Sequence, residues 1–172
     1  MNDGLLDAFR HSAWANKELI GFCRQLTPEQ LKAETLGVYG SVIETLKHLL
    51  GSEAYYSFVI GGSLPDWEWW DDEPPSLVAM EKSAAEMAAF WETALSRPFD
   101  AEAVLIRQHE DGAVREARAG IVLAQALHHA NVHREQICTI VTTLGIEPPD
   151  LDVWSYGIIT GRHSLRRKSN AS

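Results

Sequence analysis

Apolar positions recur along the chain at helical spacing in four long stretches. Leu5, Leu6, Phe9, Ala13, Asn16, Ile20 and Cys23 trace one face of a first helix that Asn2 or Asp3 can cap. "LTPEQL" then predicts a short helical turn, with Thr27 and Gln30 placed as a capping box and Pro28 at the first helical position. After Gly37 and Gly40, Ser41 and Glu44 form a second S-x-x-E box, and the apolar and aromatic pattern from Val42 runs through Tyr55 and Tyr56 to Gly61 and Gly62. A third long helix is expected from Ser76 to about Ser96, stopped before Pro98. A fourth spans roughly Ile121 to Leu144 and ends at Gly145, with Pro148 and Pro149 close behind. Between the third and fourth helices the pattern changes to "VLIRQHEDGAVREARA", where Asp111-Gly112 signals a tight turn between two strands. "DLDVWSYGIITGR" reads as a short closing helix.

Four long helices with short or hairpin connections, no repeat and no low-complexity tract predict an all-α fold. It would be an antiparallel four-helix bundle with a small β-hairpin before the last long helix. The 172 residues suffice for one domain over 1–165, followed by a disordered tail at 166–172. A net charge of -9 excludes a nucleic-acid surface, since the only basic cluster is Arg166 to Lys168 in that tail. No apolar run is long enough for a membrane span, and the acidic start "MNDGLLDAFR" has no signal-peptide core, so a cytoplasmic protein is expected. Cys23 and Cys138 lack metal or redox spacing and read as small core residues in a reducing compartment. The segment "LPDWEWWDDEPP" predicts a packed surface loop, with Trp67, Trp69 and Trp70 either anchoring it or covering a pocket.

The stretch "ALHHANVHREQ" changes the picture, because it puts imidazole on an interior stripe. His129 and His133 are four residues apart and share a helix face with Val122, Ala126, Ile137, Ile140 and Leu144, while His128 points aside. Two buried imidazoles are costly unless their nitrogens find partners, and a divalent cation is one such partner. His48, midway along the second long helix, is the third candidate ligand; satisfied core or surface histidines are the alternative for any such pair. Three neutral imidazoles would leave a coordination position open, as catalytic sites do, for hydroxide or a thiolate. H-E-x-x-H is excluded because Ala130 follows His129. His11, His109 and His163 read as solvent-facing or turn residues, and Glu44 and Glu53 as groups beside the metal or proton-transfer groups, capping being the alternative for Glu44. Tyr55 and Tyr56 are placed to contact a substrate, whereas Arg134 projects away from the histidine stripe and reads as a surface or interface residue.

"LLDAFRHSAWANKELIGFCRQL", "GSVIETLKHLLGSEAYYSFVIGG" and "LAQALHHANVHREQICTIVTTLGIEPPDLDVWSYG" together resemble the DinB/YfiT-like superfamily of metal-binding four-helix bundles. Trp14-Ala15-Asn16, the lone histidine of "TLKHLLGSE", and H-x-x-x-H-R followed by Gln136 and Gly145 carry the resemblance, with Glu135 standing where the usual H-R-G-Q has glycine. The resemblance implies a metal ion, zinc or nickel, on His48, His129 and His133, a homodimer, and transfer or isomerisation reactions that use a low-molecular-weight thiol as co-substrate. The expected function is therefore metal-dependent transfer of such a thiol to an electrophilic small molecule, with Glu44 and Tyr55 as catalytic candidates. A hydrolase using metal-bound hydroxide and a non-catalytic metal-binding stress-response module are the alternatives.

Overall fold

A computed structural model describes residues 3–67, 73–108 and 111–165. The chain is mostly helical, with a small antiparallel two-stranded sheet: α1 (Asp3–Cys23), α2 (Pro28–Leu31), α3 (Val42–Gly61), α4 (Leu77–Leu95), β1 (Val104–Gln108), β2 (Val114–Arg118), α5 (Ala119–Thr143) and α6 (Val153–Ile159). The caps that start α2 and α3 are the two boxes read from the sequence. Thr27 and Gln30 bond reciprocally, as do Ser41 and Glu44. Gly62 closes α3 in the left-handed region at φ 86°, which a side chain would resist. The cap expected from Asn2 or the Asp3 side chain, the indoles of Trp69 and Trp70, His109, and the tail from Arg166 lie outside the described residues.

The helices pack α1 on α4 and α5, and α3 on α4 and α5, around one apolar interior. Trp91 is fully enclosed and tilts against Phe9 across α1 and α4, with ring centroids 4.5 Å apart. Leu46, Leu49 and Leu50 of α3 meet Leu123, Ile137 and Ile140 of α5 in the same buried cluster. Burying such side chains contributes about 1.5–3 kcal/mol each, so several such contributions hold together the α3–α5 contact that carries the histidines. Leu144, expected on the interior stripe, is instead exposed, because α5 ends at Thr143 and the chain turns away at Gly145. Trp67 is buried and donates through Nε1 to Glu86 Oε2 on α4 (2.8 Å), which makes it an anchor of its loop.

The hairpin lies against α3 and α5. Its register pairs Gln108 with Val114 and Arg107 with Arg115, on either side of Asp111-Gly112. Gly112 does take the left-handed conformation there, at φ 84°, and Asp111 Oδ1 accepts from the Ala113 backbone N–H (2.9 Å). Cys23 and Cys138 are both free, as expected of residues set within helices. Among the described residues, no helix is long and apolar enough to cross a membrane.

Candidate metal centre

The opposing faces of α3 and α5 bring His48, His129 and His133 together. Each offers one ring nitrogen, and the three nitrogens lie within 4.8 Å of one another. His48 Nε2 and His129 Nε2 are 3.2 Å apart. Two nitrogens on one tetrahedral zinc ion, each about 2.0–2.1 Å from it, would stand roughly 3.4 Å apart, so this spacing suits a shared cation. Helical geometry supplies the rest: His129 and His133 lie one turn apart, their rings tilted with centroids 4.3 Å from each other. His48 faces them from α3 at 5.0 and 4.7 Å. His128, one residue from His129, is exposed and stands apart from the cluster.

A ligand histidine must present a lone pair, and its other nitrogen determines whether it does. His133 Nδ1–H donates to Gln136 Oε1 (2.8 Å), which leaves the Nε2 lone pair for the cluster. Gln136 sits one turn further along α5 and therefore orients the ring, a role the sequence reading did not assign to it. Burial lowers the basicity of all three rings. For His129 burial comes first, and the charges that His133 and His48 would carry add to it, bringing its pKa to about 4. Neutral imidazoles with convergent lone pairs are the donor set that zinc, nickel and related divalent ions take. The three residues thus fit the ion.

One side of the cluster is covered and another is open. Tyr39, between α2 and α3, stacks on His48 at 3.9 Å and 19°, and its ring is edge-on to His133 at 5.5 Å, although 55% of the residue remains exposed. Nothing in the local sequence marked Tyr39; its position follows from the loop between Gly37 and Gly40. Beside His48 opens a cleft of about 550 Å³, walled by Tyr39, Glu44, Lys47, Tyr55 and Tyr56. Tyr56 also reaches the cluster, edge-on to His129 at 5.7 Å, and its hydroxyl accepts from Gln125 Nε2 (3.4 Å).

The two catalytic candidates differ from the three histidines in what holds them. Glu44 lines the cleft, but Oε2 accepts from the Ser41 backbone N–H (2.9 Å) and hydroxyl (2.6 Å). Those bonds hold its carboxyl below the usual carboxylate range, which suits a helix cap and opposes a proton-donor role. Tyr55 lines the same cleft with its ring against Tyr56 at 5.9 Å, and no ring contact or hydrogen bond joins it to the three histidines.

Arg134 corrects the sequence reading. It is 3% exposed, pointing inward between α5 and α1 rather than out to solvent. Its Nη1 donates to Asn16 Oδ1 (2.8 Å) and Ser12 Oγ (3.0 Å), and its Nη2 to Asn131 Oδ1 (2.8 Å). Asn16 Nδ2 in turn donates to Glu53 Oε2 (2.9 Å), and Trp91 Nε1–H donates to Glu53 Oε1 (3.0 Å). One polar chain therefore ties α5, α1, α3 and α4 together, and among the described residues no buried side-chain nitrogen or oxygen lacks a partner. This explains Trp14-Ala15-Asn16: Asn16 joins the chain, Ala15 is fully buried, and Trp14 turns to Tyr156 of α6 at 5.5 Å. His11 is likewise buried, not solvent-facing, with its ring N–H donating to the Leu151 carbonyl (2.8 Å).

Burial raises the Glu53 carboxyl above 4.5, while the Trp91 bond, the Arg134 charge and the Asn16 bond pull it back. Between the unfolded carboxyl's 4.5 and the higher native pKa, the native chain retains a proton there that the unfolded chain has released, so this group's contribution to stability falls as pH rises through that window. Urea unfolding of wild type and Glu53→Gln across that range should give a free-energy difference, wild type minus variant, that declines with rising pH. A difference that rises instead would mean that the hydrogen bonds and Arg134 outweigh burial.

The model of the DinB family matches residues 1–163, nearly the whole chain. A search of curated proteins gave no match.

Proposed function

The chain belongs to the DinB family, and on that footing we propose that it holds a divalent ion, zinc or nickel, on His48, His129 and His133 and transfers a low-molecular-weight thiol to an electrophilic small molecule. The observation that carries this reading is the convergence of three neutral imidazoles at the edge of an open cleft. When bound, such an ion would supply the positive charge that lowers a thiol's pKa and makes it nucleophilic at neutral pH. The residues of the chain provide the setting. Gln136 holds His133 in the ligating tautomer, Tyr39 covers His48, and Tyr55 and Tyr56 line the space where the electrophile would rest. A thiol is favoured over water because Glu44, the one carboxylate among the described residues of the cleft wall, is committed to Ser41 and is not free to act as a general base.

In the same reading the four long helices form an antiparallel bundle as one domain over 1–165, in a cytoplasmic protein. It would act as a homodimer, for which the exposed Val153, Trp154, Ile158 and Ile159 of α6 offer an apolar surface. The test is turnover. Metal-loaded protein incubated with mycothiol, bacillithiol, glutathione or coenzyme A and an electrophile should form an adduct that disappears on chelation. Substrate cleavage without any thiol would replace this reading with a hydrolase, and a chelation-sensitive melting temperature with no turnover would replace it with a metal-stabilised binding module.

A further inference from the structure

The hairpin carries a charge arrangement that the folded chain does not itself explain. Arg107 of β1 and Arg115 of β2 are direct cross-strand partners, so both project from the same face, the one that also carries Leu105 and Ala117. Directly opposed like charges weaken a strand pair. Both arginines line a second cavity, of about 210 Å³, between the hairpin, α3 and α5, and no acid is among the described residues that line it. The placement stands out in a chain with a net charge of -9.

The two guanidinium groups are held differently. Arg107 lies over the Phe58 ring at 4.3 Å and donates through Nη2 to the carbonyls of Phe58 (2.7 Å) and Val59 (3.2 Å) near the end of α3. That anchors the group and leaves its Nε and Nη1 donors available. Arg115 makes no hydrogen bond or ion pair with a described residue. The remaining wall is largely apolar, including Val59, Leu105 and Ile121, with Gln125 as its polar member beside the tyrosines Tyr55 and Tyr56. Tyr55 and Tyr56 wall both this cavity and the cleft beside His48, and Tyr56 stands edge-on to His129 at 5.7 Å.

We propose that Arg107 and Arg115 form an anion subsite, and that the substrate is an amphipathic organic acid whose carboxylate or phosphate is held at the hairpin while its other end reaches the histidine cleft. A fixed guanidinium and a free one present planar forks of donors that match such oxyanions, and an apolar wall between the two ends accommodates a hydrocarbon body. The direction in which the ligand lies rests on the function proposed above; the anion subsite does not.

The protein as purified would be titrated with hexanoate and, separately, with 1-hexanol, following backbone amide resonances. Hexanoate should shift the amides of Leu105, Ala117 and Gln125, and Arg115→Gln should weaken its binding about tenfold, roughly what one charge-assisted contact supplies. Arg115→Lys should retain part of the affinity, and hexanol should bind wild type and Arg115→Gln alike. Arg115 is exposed, so folding is not at stake in these variants. His133→Ala should keep hexanoate binding, and Arg115→Gln should keep its metal, so failure of this proposal and failure of the metal reading are separate outcomes. Equal hexanoate affinity in wild type and Arg115→Gln, or shifts confined to residues around His129, would overturn the subsite.

Discussion

His133→Ala is expected to lose most of its bound metal under conditions in which the wild-type chain is saturated. Structural zinc sites bind with roughly 10–16 kcal/mol, commonly spread over four ligands, so one imidazole contributes about 3 kcal/mol, on the order of a hundredfold in affinity. The geometry makes this loss hard to repair. His48 and His129 would be left as a pair 3.2 Å apart, and the next imidazole along α5, His128, is exposed and outside the cluster. Gln136→Ala should weaken binding less, by about 10–100-fold, because it removes only the partner that orients His133. His128→Ala should leave occupancy unchanged. Elemental analysis after equilibrium dialysis against a fixed free zinc concentration reads all three; full occupancy in His133→Ala would contradict the ligand assignment.

Arg134→Ala is expected to destabilise the fold by about 3–5 kcal/mol, because a buried charge network loses one sign while keeping the other. For a chain of this size each kcal/mol corresponds to about 2–4 °C, so the melting temperature should drop by roughly 6–20 °C. The buried Ser12 and Asn16 would be left with acceptors that have lost their donor, and Glu53 would lose the cation that offsets its burial. Burial already lowers the Arg134 pKa to about 10, so desolvation dominates on the cationic side as well. That balance sets a second expectation. Replacing both charges, as Arg134→Met with Glu53→Gln, should recover much of the loss, since no orphaned charge remains. If Arg134→Ala unfolds within about 1 °C of wild type, the buried network contributes little.

What the sequence disclosed follows from how local each signal is. The starts of α2 and α3 were legible because their capping boxes close within three residues, Thr27 with Gln30 and Ser41 with Glu44. His129 and His133 were legible as a pair because one helical turn separates them, and His48 because it is set on the core-forming helix α3. Arg134 was misread because its partners Ser12 and Asn16 come from the opposite end of the chain; a helical projection gives a direction but not what lies there. His11 was missed for the same reason, since its acceptor is Leu151. Tyr39 could not be placed at all, because a loop residue's neighbours depend on how the two flanking helices close over it. Family resemblance agreed with the histidine set read from the residues but said nothing of the paired arginines, which become visible only through the strand register.

The claim beneath all of this is that three imidazole rings from α3 and α5 share one ion. X-ray absorption at the metal edge of purified, zinc-loaded protein tests it most directly. The account predicts a first shell with three imidazole nitrogens at about 2.0–2.1 Å, falling to two in His133→Ala. A first shell without imidazole scattering, or one that is the same in wild type and in His133→Ala, would contradict it.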